Sequence, residues 1–421
     1  MTNRFYIQCP SCGHIYQLKI QVDRNIFLFD WPIVIECSEC GDVIRCVYGS
    51  KGLSMKTLPY EPLSDHGVVT TMVGYSSSLP IVDEIYMKDG DGLDAMVLFS
   101  PFLNLTRGHF SLEELRGFDA FVSHLQQRVL PHKGALLALL PIVKKGNIQA
   151  YCKKYADLYH EKIELDTMNL VYKHYMELVG NLYRDMRSAH YSQHEFKQYI
   201  EPLFGFINQS DVKELKKVLN GAGTMSEWYK NKALPYIARV LNQVEKLIPC
   251  MIFSVVGEYG IYNRGMLYMS TIAHRDAANF YKDGYEVFVK GLPYLVGVRN
   301  MMTNGCADLF SNAGMKGVDT LAAFAKLPGG LMEDKLSDDQ YVVGWIGNTM
   351  NHKVRNAATH DELEYDSKTQ ILKCHYNSLD RKEVYSLSLI ALCDMVYMQW
   401  LHIMELTLMA FTIVTRSKAE E

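Results

Sequence analysis

Residues 341–360, YVVGWIGNTMNHKVRNAATH, decide how the rest of the chain is read. As a helix, the stretch sets Val343, Ile346, Met350, Val354 and Ala357 along one apolar stripe at the three-to-four spacing of a buried face. Its polar residues fall in rows beside that stripe. His352, Asn356 and His360 stand at i, i+4 and i+8, and Asn351, Arg355 and Thr359 repeat the spacing one position earlier. Residues four apart stack on a helix surface, so two polar rows climb one side. A guanidinium, an amide and an imidazole are thereby expected together at the C-terminal end. Arginine carries a permanent charge and a planar fork of donors that fits phosphate oxygens. Histidine exchanges a proton near neutrality, and asparagine orients a base or a water without adding charge. Cleavage of RNA needs little more, because the ribose 2′-hydroxyl is an internal nucleophile and no metal is obligatory.

Arg355-Asn356-Ala357-Ala358-Thr359-His360 resembles the R-N-x-x-x-H signature of the HEPN superfamily of helical ribonucleases and their inactive relatives. The resemblance continues downstream. LEYD, the polar turn SKTQ and ILKCHY read as a short hairpin, with a long apolar helix expected from near Ser378, an order many members of that family share. The likeness covers about the final third of the chain. Arg–His spacing alone selects nothing, since Arg184 with His190 and Arg187 with His194 in YRDMRSAHYSQH have it too. Arg355 and His360 stand apart through the Asn after Arg, the small residues inside the motif, and the hairpin and helix beyond. The plainer reading is a solvated helix end whose Arg and His complement the dipole.

The resemblance implies a metal-independent endoribonuclease. Arg355 would bind the scissile phosphate, His360 would handle the proton of the 2′-hydroxyl or leaving group, and Asn356 would orient His360 or the phosphate. Products would be 2′,3′-cyclic phosphate and 5′-hydroxyl ends, and DNA would be spared. The family also implies a homodimer with two motifs facing one cleft, and a bacterial toxin or antiviral defence setting. An activating protein or nucleic-acid trigger is left open.

A second pattern opens the chain. Cys9 and Cys12 in CPSCG and, after twenty-four intervening residues, Cys37 and Cys40 in CSECG each follow a β-like run, RFYIQ and PIVIE. Two residues between thiolates let one tight turn aim both sulfurs at one ion, and the Gly permits a positive φ. The pattern resembles a zinc ribbon with a closed, structural zinc site. The other cysteines, Cys46, Cys152, Cys250, Cys306, Cys374 and Cys393, are dispersed in mostly apolar surroundings and read as reduced core thiols. Lys19, Arg24, Arg45 and Lys51 of the ribbon are too mixed with Asp23, Asp30 and Asp42 to make it an evident RNA reader.

At 421 residues and net charge −4, with charges well mixed, the chain does not coat itself in nucleic acid through bulk charge; a grip on RNA would have to be local. The opening MTNRFYIQCP has no secretory pattern, and the apolar run from Val384 to Val414 is broken by Asp394, Gln399, His402 and Glu405. A cytoplasmic protein is expected, with that run a buried helix and not a membrane span. Residues 51–110 read as a connector with a small β element; KDGDG lacks the later Glu of a calcium loop. From Ser111, a capping residue with Glu114 three positions on, helices are expected at 111–130, 147–162, 166–190, 192–207 and 211–219, with breaks at LPHKG and NGAGT. His190 and His194 could grip a metal from one helix face, but no third ligand is apparent and they read as surface polar residues. Further helices are expected near 226–257, 263–290, 292–303 and 316–326. Aromatics in GEYGIYNRGMLYM and in the last helix read as core more readily than as a base-stacking platform. A Gly-rich phosphate loop with Lys, a Ser nucleophile elbow and a dinucleotide fingerprint are absent from the sequence, which removes ATP-driven, serine-hydrolase and dehydrogenase classes.

The expected fold is therefore mainly α: a small N-terminal β zinc ribbon (1–50), the connector (51–110), a helical middle region (111–220) and a HEPN-like helical bundle with a short β-hairpin (221–421). The alternative to the ribonuclease is a non-catalytic zinc-ribbon adaptor that uses a HEPN-like fold for dimerisation or partner binding.

Overall fold

The computed structural model describes residues 2–21, 31–49, 52–55, 71–76, 78–82, 86–87, 105, 110–188, 194–221, 228–256, 267–310, 313–347, 349–376 and 384–418. The chain is mainly helical, with small sheets toward its N-terminus. It gathers into two compact units, each assembled from three separate stretches. Met1–Ser123, Gln243–Lys282 and Lys353–Tyr397 form the first; His124–Asn242, Asp283–His352 and Met398–Glu421 form the second. The segments 1–50, 51–110, 111–220 and 221–421 run along the chain, whereas the units cut across it.

In the first unit, β1 (Thr2–Gln8) and β2 (Ile15–Gln21) pair antiparallel, as do β3 (Trp31–Glu36) and β4 (Val43–Gly49), with β5 (Gly52–Met55) added beside β4. Strand β2 also pairs in parallel with β6 (Thr71–Ser76). A parallel pair needs a long crossover, and here the β3–β5 hairpins occupy it. Because β2 is a central strand, its residues are buried on both faces: Tyr16, Leu18 and Ile20 on one, Gln17 and Lys19 on the other. Gln17 answers its burial by donating to the Tyr6 hydroxyl at 2.7 Å. Strands β7 (Ile81–Val82) and β8 (Tyr86–Met87) complete the β element of the connector, β7 pairing with β9 (Leu267–Tyr268) and β8 with β6. The capping box is present in both directions: Ser111 N–H donates to Glu114 Oε2 at 2.7 Å and Glu114 N–H to Ser111 Oγ at 3.1 Å.

The hairpin after the motif is β10 (Leu363–Asp366) and β11 (Ile371–His375), turned by SKTQ with Gln370 at φ 51°. Gln370 then grips Met269 from both sides, accepting from its N–H at 2.9 Å and donating to its carbonyl at 2.8 Å. A third strand, β12 (Val384–Ser388), pairs with β11, and the last helix begins only at Leu389. The expected start near Ser378 lies outside the described residues, and 384–388 are corrected to strand: VYSLS alternates, and its register on β11 outweighs helical propensity. By length and composition the helix could cross a membrane, but 89% of its most apolar window is buried within the protein, as a core helix requires.

The second unit is helical. Leu130–Lys145, Ile148–Tyr159 and Met168–Met186 follow one another through Gly146 at φ 70° and the caps Asn147 and Thr167, whose side chains accept from Ala150 and Leu170 N–H. LPHKG is not a break. The helix of Leu112–His124 passes through a π-turn, Leu125–Val129, straight into the next. Pro131 has no N–H for the helical ladder and its ring presses on the preceding turn. A wider turn immediately before it, closed by Leu130 N–H on Leu125 O, relieves that conflict. The same device recurs before Pro202, with Glu201 N–H on Phe196 O, and before Pro235, with Leu234 N–H on Tyr229 O.

The expected helices 263–290 and 292–303 are one, His274–Asn304, which continues through Gly291 and Pro293. A Cβ on Gly291 would stand 2.6 Å from the Trp228 ring, so the missing side chain is what admits that indole. At the centre of the unit, Glu405 is wholly buried and accepts from Tyr183 Oη (2.6 Å), Arg187 Nη2 (2.5 Å), Trp345 Nε1 (2.8 Å) and the His402 ring (2.9 Å). Arg187 also meets Glu195 at 3.0 Å. Arg187 is thus a core residue, and its spacing to His194 is incidental.

The stretch 341–360 is two helices, Gln340–Ile346 and His352–His360. Gly347, at φ 53° and ψ −132°, ends the first. The single stripe is corrected accordingly: Ile346, Met350, Val354 and Ala357 are buried, but Val343 is 44% exposed. KDGDG, His190, Asp23, Arg24, Asp30 and Lys51 lie outside the described residues.

Candidate functional site

The two Cys-x-x-Cys-Gly turns are built alike. Cys9 N–H donates to His14 O and Gly13 N–H to Cys9 O; Cys37 N–H donates to Asp42 O and Gly41 N–H to Cys37 O, all at 2.8–2.9 Å. Gly13 and Gly41 take φ 78° and 73°, the left-handed conformation the sequence demanded. The four sulfurs lie within 4.8 Å of one another, with Cys9–Cys40 and Cys12–Cys37 at 3.6 Å. Tetrahedral zinc with Zn–S near 2.3 Å sets its sulfurs about 3.8 Å apart, so the cluster fits a metal ion and is compatible with zinc. The Tyr16 hydroxyl supports the cluster from behind, donating to Cys37 Sγ at 3.0 Å while accepting from Ser38 N–H at 2.9 Å. Burial works to raise the Cys37 thiol, but Tyr16, the Glu39 and Cys40 amides and Cys12 bring it down to about 7, toward the thiolate a metal binds. Of the other cysteines, Cys46, Cys250, Cys374 and Cys393 are buried and Cys152 and Cys306 half-buried, all unbridged.

Two of the N-terminal cations are already engaged. Lys19 is buried, and Arg45 meets Asp276 at 3.2 Å. Glu36, the residue before Cys37, accepts from the backbone N–H of His274 at 3.1 Å and meets its ring nitrogen Nδ1 at 2.8 Å. That imidazole stacks on Tyr365 of β10, with centroids 4.3 Å apart at 17°. A continuous run of contacts therefore joins the second cysteine turn to the strand that follows the motif helix.

On the motif helix, Val354 and Ala357 face the core while Arg355 and Asn356 are half-buried and His360 is exposed. Arg355 Nη1 donates to Asn356 Oδ1 at 2.8 Å, which folds the long side chain toward the row of Asn356. His360 stands one turn above Asn356 on that row, though its ring takes no hydrogen bond among the described residues. Arg355 and Asn356 are thus brought together, and no described contact joins either to His360. The helix ends in a left-handed Asp361 (φ 56°), with Glu362 N–H reaching back to Ala357 O at 2.9 Å. This closure satisfies a terminal carbonyl and turns the chain into β10 directly beyond His360.

At its start, His352 N–H donates to Glu333 Oε2 at 2.9 Å, and its ring nitrogen lies 3.3 Å from Oε1. Burial raises the Glu333 carboxyl above its ordinary value, against the pull of His352. His352 thus anchors the helix and does not extend the polar row. Lys353, 4.9 Å above the Tyr376 ring, adds a cation that the motif did not signal. Neither cavity described in the second unit is lined by the motif residues.

Set against family models, curated proteins and solved structures, the chain finds no match, and its chemistry is read from its own residues.

Proposed function

We propose that the chain is a metal-independent endoribonuclease whose site is Arg355, Asn356 and His360, with Cys9, Cys12, Cys37 and Cys40 holding a structural zinc ion. The observation that carries the reading is the Arg355–Asn356 contact beneath an exposed imidazole on one short, well-anchored helix. Arg355 holds a fixed cation where a phosphate can reach it, and Asn356 fixes the direction of the guanidinium. His360 accepts the proton of the ribose 2′-hydroxyl as that oxygen attacks the adjacent phosphorus, or protonates the departing 5′-oxygen. Arg355 offsets the charge that gathers on the phosphorane. Breaking the P–O5′ bond leaves a 2′,3′-cyclic phosphate and a 5′-hydroxyl. The four thiolates close the metal's coordination, so its contribution is folding stability of the ribbon.

A homodimer, a cytoplasmic setting and a role in toxin action or antiviral defence belong to the same proposal. The homodimer and the toxin or defence role rest on the likeness of the motif to HEPN ribonucleases, and the cytoplasmic setting on the expectation drawn from the sequence.

The test uses the full-length protein and its Arg355→Ala and His360→Ala variants. Each is incubated with structured RNA without added divalent ions, with and without a brief EDTA treatment, alone and with candidate activating nucleic acids. Cyclic-phosphate ends from wild type, EDTA-insensitive and reduced by about 10²–10⁴-fold in His360→Ala, are expected. Cleavage equal in all three proteins refutes the site. Absence of cleavage under every condition favours the zinc-ribbon adaptor.

A further inference from the structure

The second unit contains a cavity of about 420 Å³ that the ribonuclease reading does not use, within the roughly 300–1,000 Å³ range of small-molecule sites. It lies among three consecutive helical segments. Val129, Leu136 and Leu182, all buried, supply its aliphatic lining. Tyr155 and Tyr159, one turn apart on Ile148–Tyr159, stack with centroids 4.5 Å apart at 27°, and His132 stacks on Tyr159 at 5.7 Å and 17°. These rings make one wall. The Tyr159 hydroxyl is buried and, among the described residues, has no hydrogen-bond partner, an unsatisfied donor beside the cavity. Arg128, from the π-turn, and Arg184 and Asn181, from Met168–Met186, are exposed and mark the open side. The acid that lines it, Asp185, is already met by His124 at 3.4 Å.

We propose that this cavity binds a nucleoside monophosphate, with the phosphate between Arg128 and Arg184 and the base along the tyrosine wall. Two guanidiniums answer the charge of about −1.5 to −2 that a phosphate monoester carries near neutrality. An aliphatic acid would gain nothing from a ladder of rings. Asn181, whose amide both donates and accepts, suits the edge of a base. Burial keeps the Tyr159 hydroxyl protonated, so it remains a donor for a ring or ribose acceptor. The inference stands apart from the ribonuclease reading, since every lining residue belongs to the second unit and none to the Arg355 motif.

Titration calorimetry on the full-length protein decides it, with AMP, GMP, CMP, UMP, adenosine and inorganic phosphate as separate probes. At least one monophosphate is expected to bind at least tenfold more tightly than adenosine and than phosphate. Arg128→Ala and Arg184→Ala, both exposed and so not expected to disturb folding, should each weaken it at least tenfold, while Lys153→Ala should not. Circular dichroism and thermal midpoints confirm that the variants fold. Binding of phosphate as tightly as of any nucleotide would leave an anion site without base recognition and overturn the proposal. So would nucleotide binding that both arginine variants retain, or no binding of any probe at millimolar concentration.

Discussion

Replacing Glu405 with Gln should cost the second unit about 3–5 kcal/mol, the range for breaking a buried ion pair by removing one partner. The carboxylate is 0% exposed and takes four donors, among them the guanidinium of Arg187 at 2.5 Å, which is itself 4% exposed. Burial by itself would push this carboxyl up. Arg187 and His402, with the hydrogen bonds of His402 and Tyr183, instead lower it from 4.5 to about 2. At 1.36 kcal/mol per unit that depression corresponds to about 3 kcal/mol, which agrees with the mutational range. A carboxylate whose folded pKa is depressed contributes in full above its unfolded pKa and loses that contribution as pH falls through the folded value. The loss therefore runs from about pH 4.5 down to about 2.

In Glu405→Gln the amide presents N–H groups to neighbours that are themselves donors, and Arg187 loses its charged partner at 2.5 Å while the Glu195 pair at 3.0 Å remains. Urea unfolding followed by tryptophan fluorescence, on wild type, Glu405→Gln and Arg187→Met/Glu405→Met at pH 7, 4 and 3, makes the comparison. The single variant should fall 3–5 kcal/mol below wild type at pH 7, the gap should narrow toward pH 3, and the double variant should recover much of the loss. A single variant within about 1 kcal/mol of wild type at pH 7, or a gap unchanged between pH 7 and 3, would refute the reasoning.

Stripping metal with a strong chelator should release one zinc per chain to a colorimetric indicator and unfold β1–β4, seen as loss of amide-exchange protection; a chain that keeps its protection without metal counts against a structural role. Gly291→Ala should lower stability by about 1–3 kcal/mol, because its Cβ would meet Trp228 at 2.6 Å, and an unchanged denaturation midpoint would show that the indole has room to move. Glu36→Gln, which weakens the hold on His274 without touching a cysteine, should keep its zinc yet speed amide exchange in β10; unchanged exchange there would mean that the His274–Tyr365 stack does not depend on Glu36.

Local chemistry was readable directly. The Cys-x-x-Cys-Gly turns, the Ser111–Glu114 capping box and the SKTQ turn each depend on residues within a few positions, so a short window contains the whole cause. The helix of 352–360 and the buried face of Val354 and Ala357 follow from the same local logic. Where a helix stops was harder. The apolar spacing runs on through Gly347, where a positive-φ glycine ends the helix, and LPHKG looks like a break although a π-turn before Pro131 carries the helix through it.

Partnership was beyond the sequence altogether. Arg187, one of several Arg–His coincidences along the chain, becomes a core residue because Glu405 arrives from 218 positions away. Glu36 and His274 meet across 238 positions, and nothing near either announces the other. Residue types and their spacing determine which chemistry a segment can offer; which charges are buried, and against what, depends on long-range contacts that only the folded chain brings together.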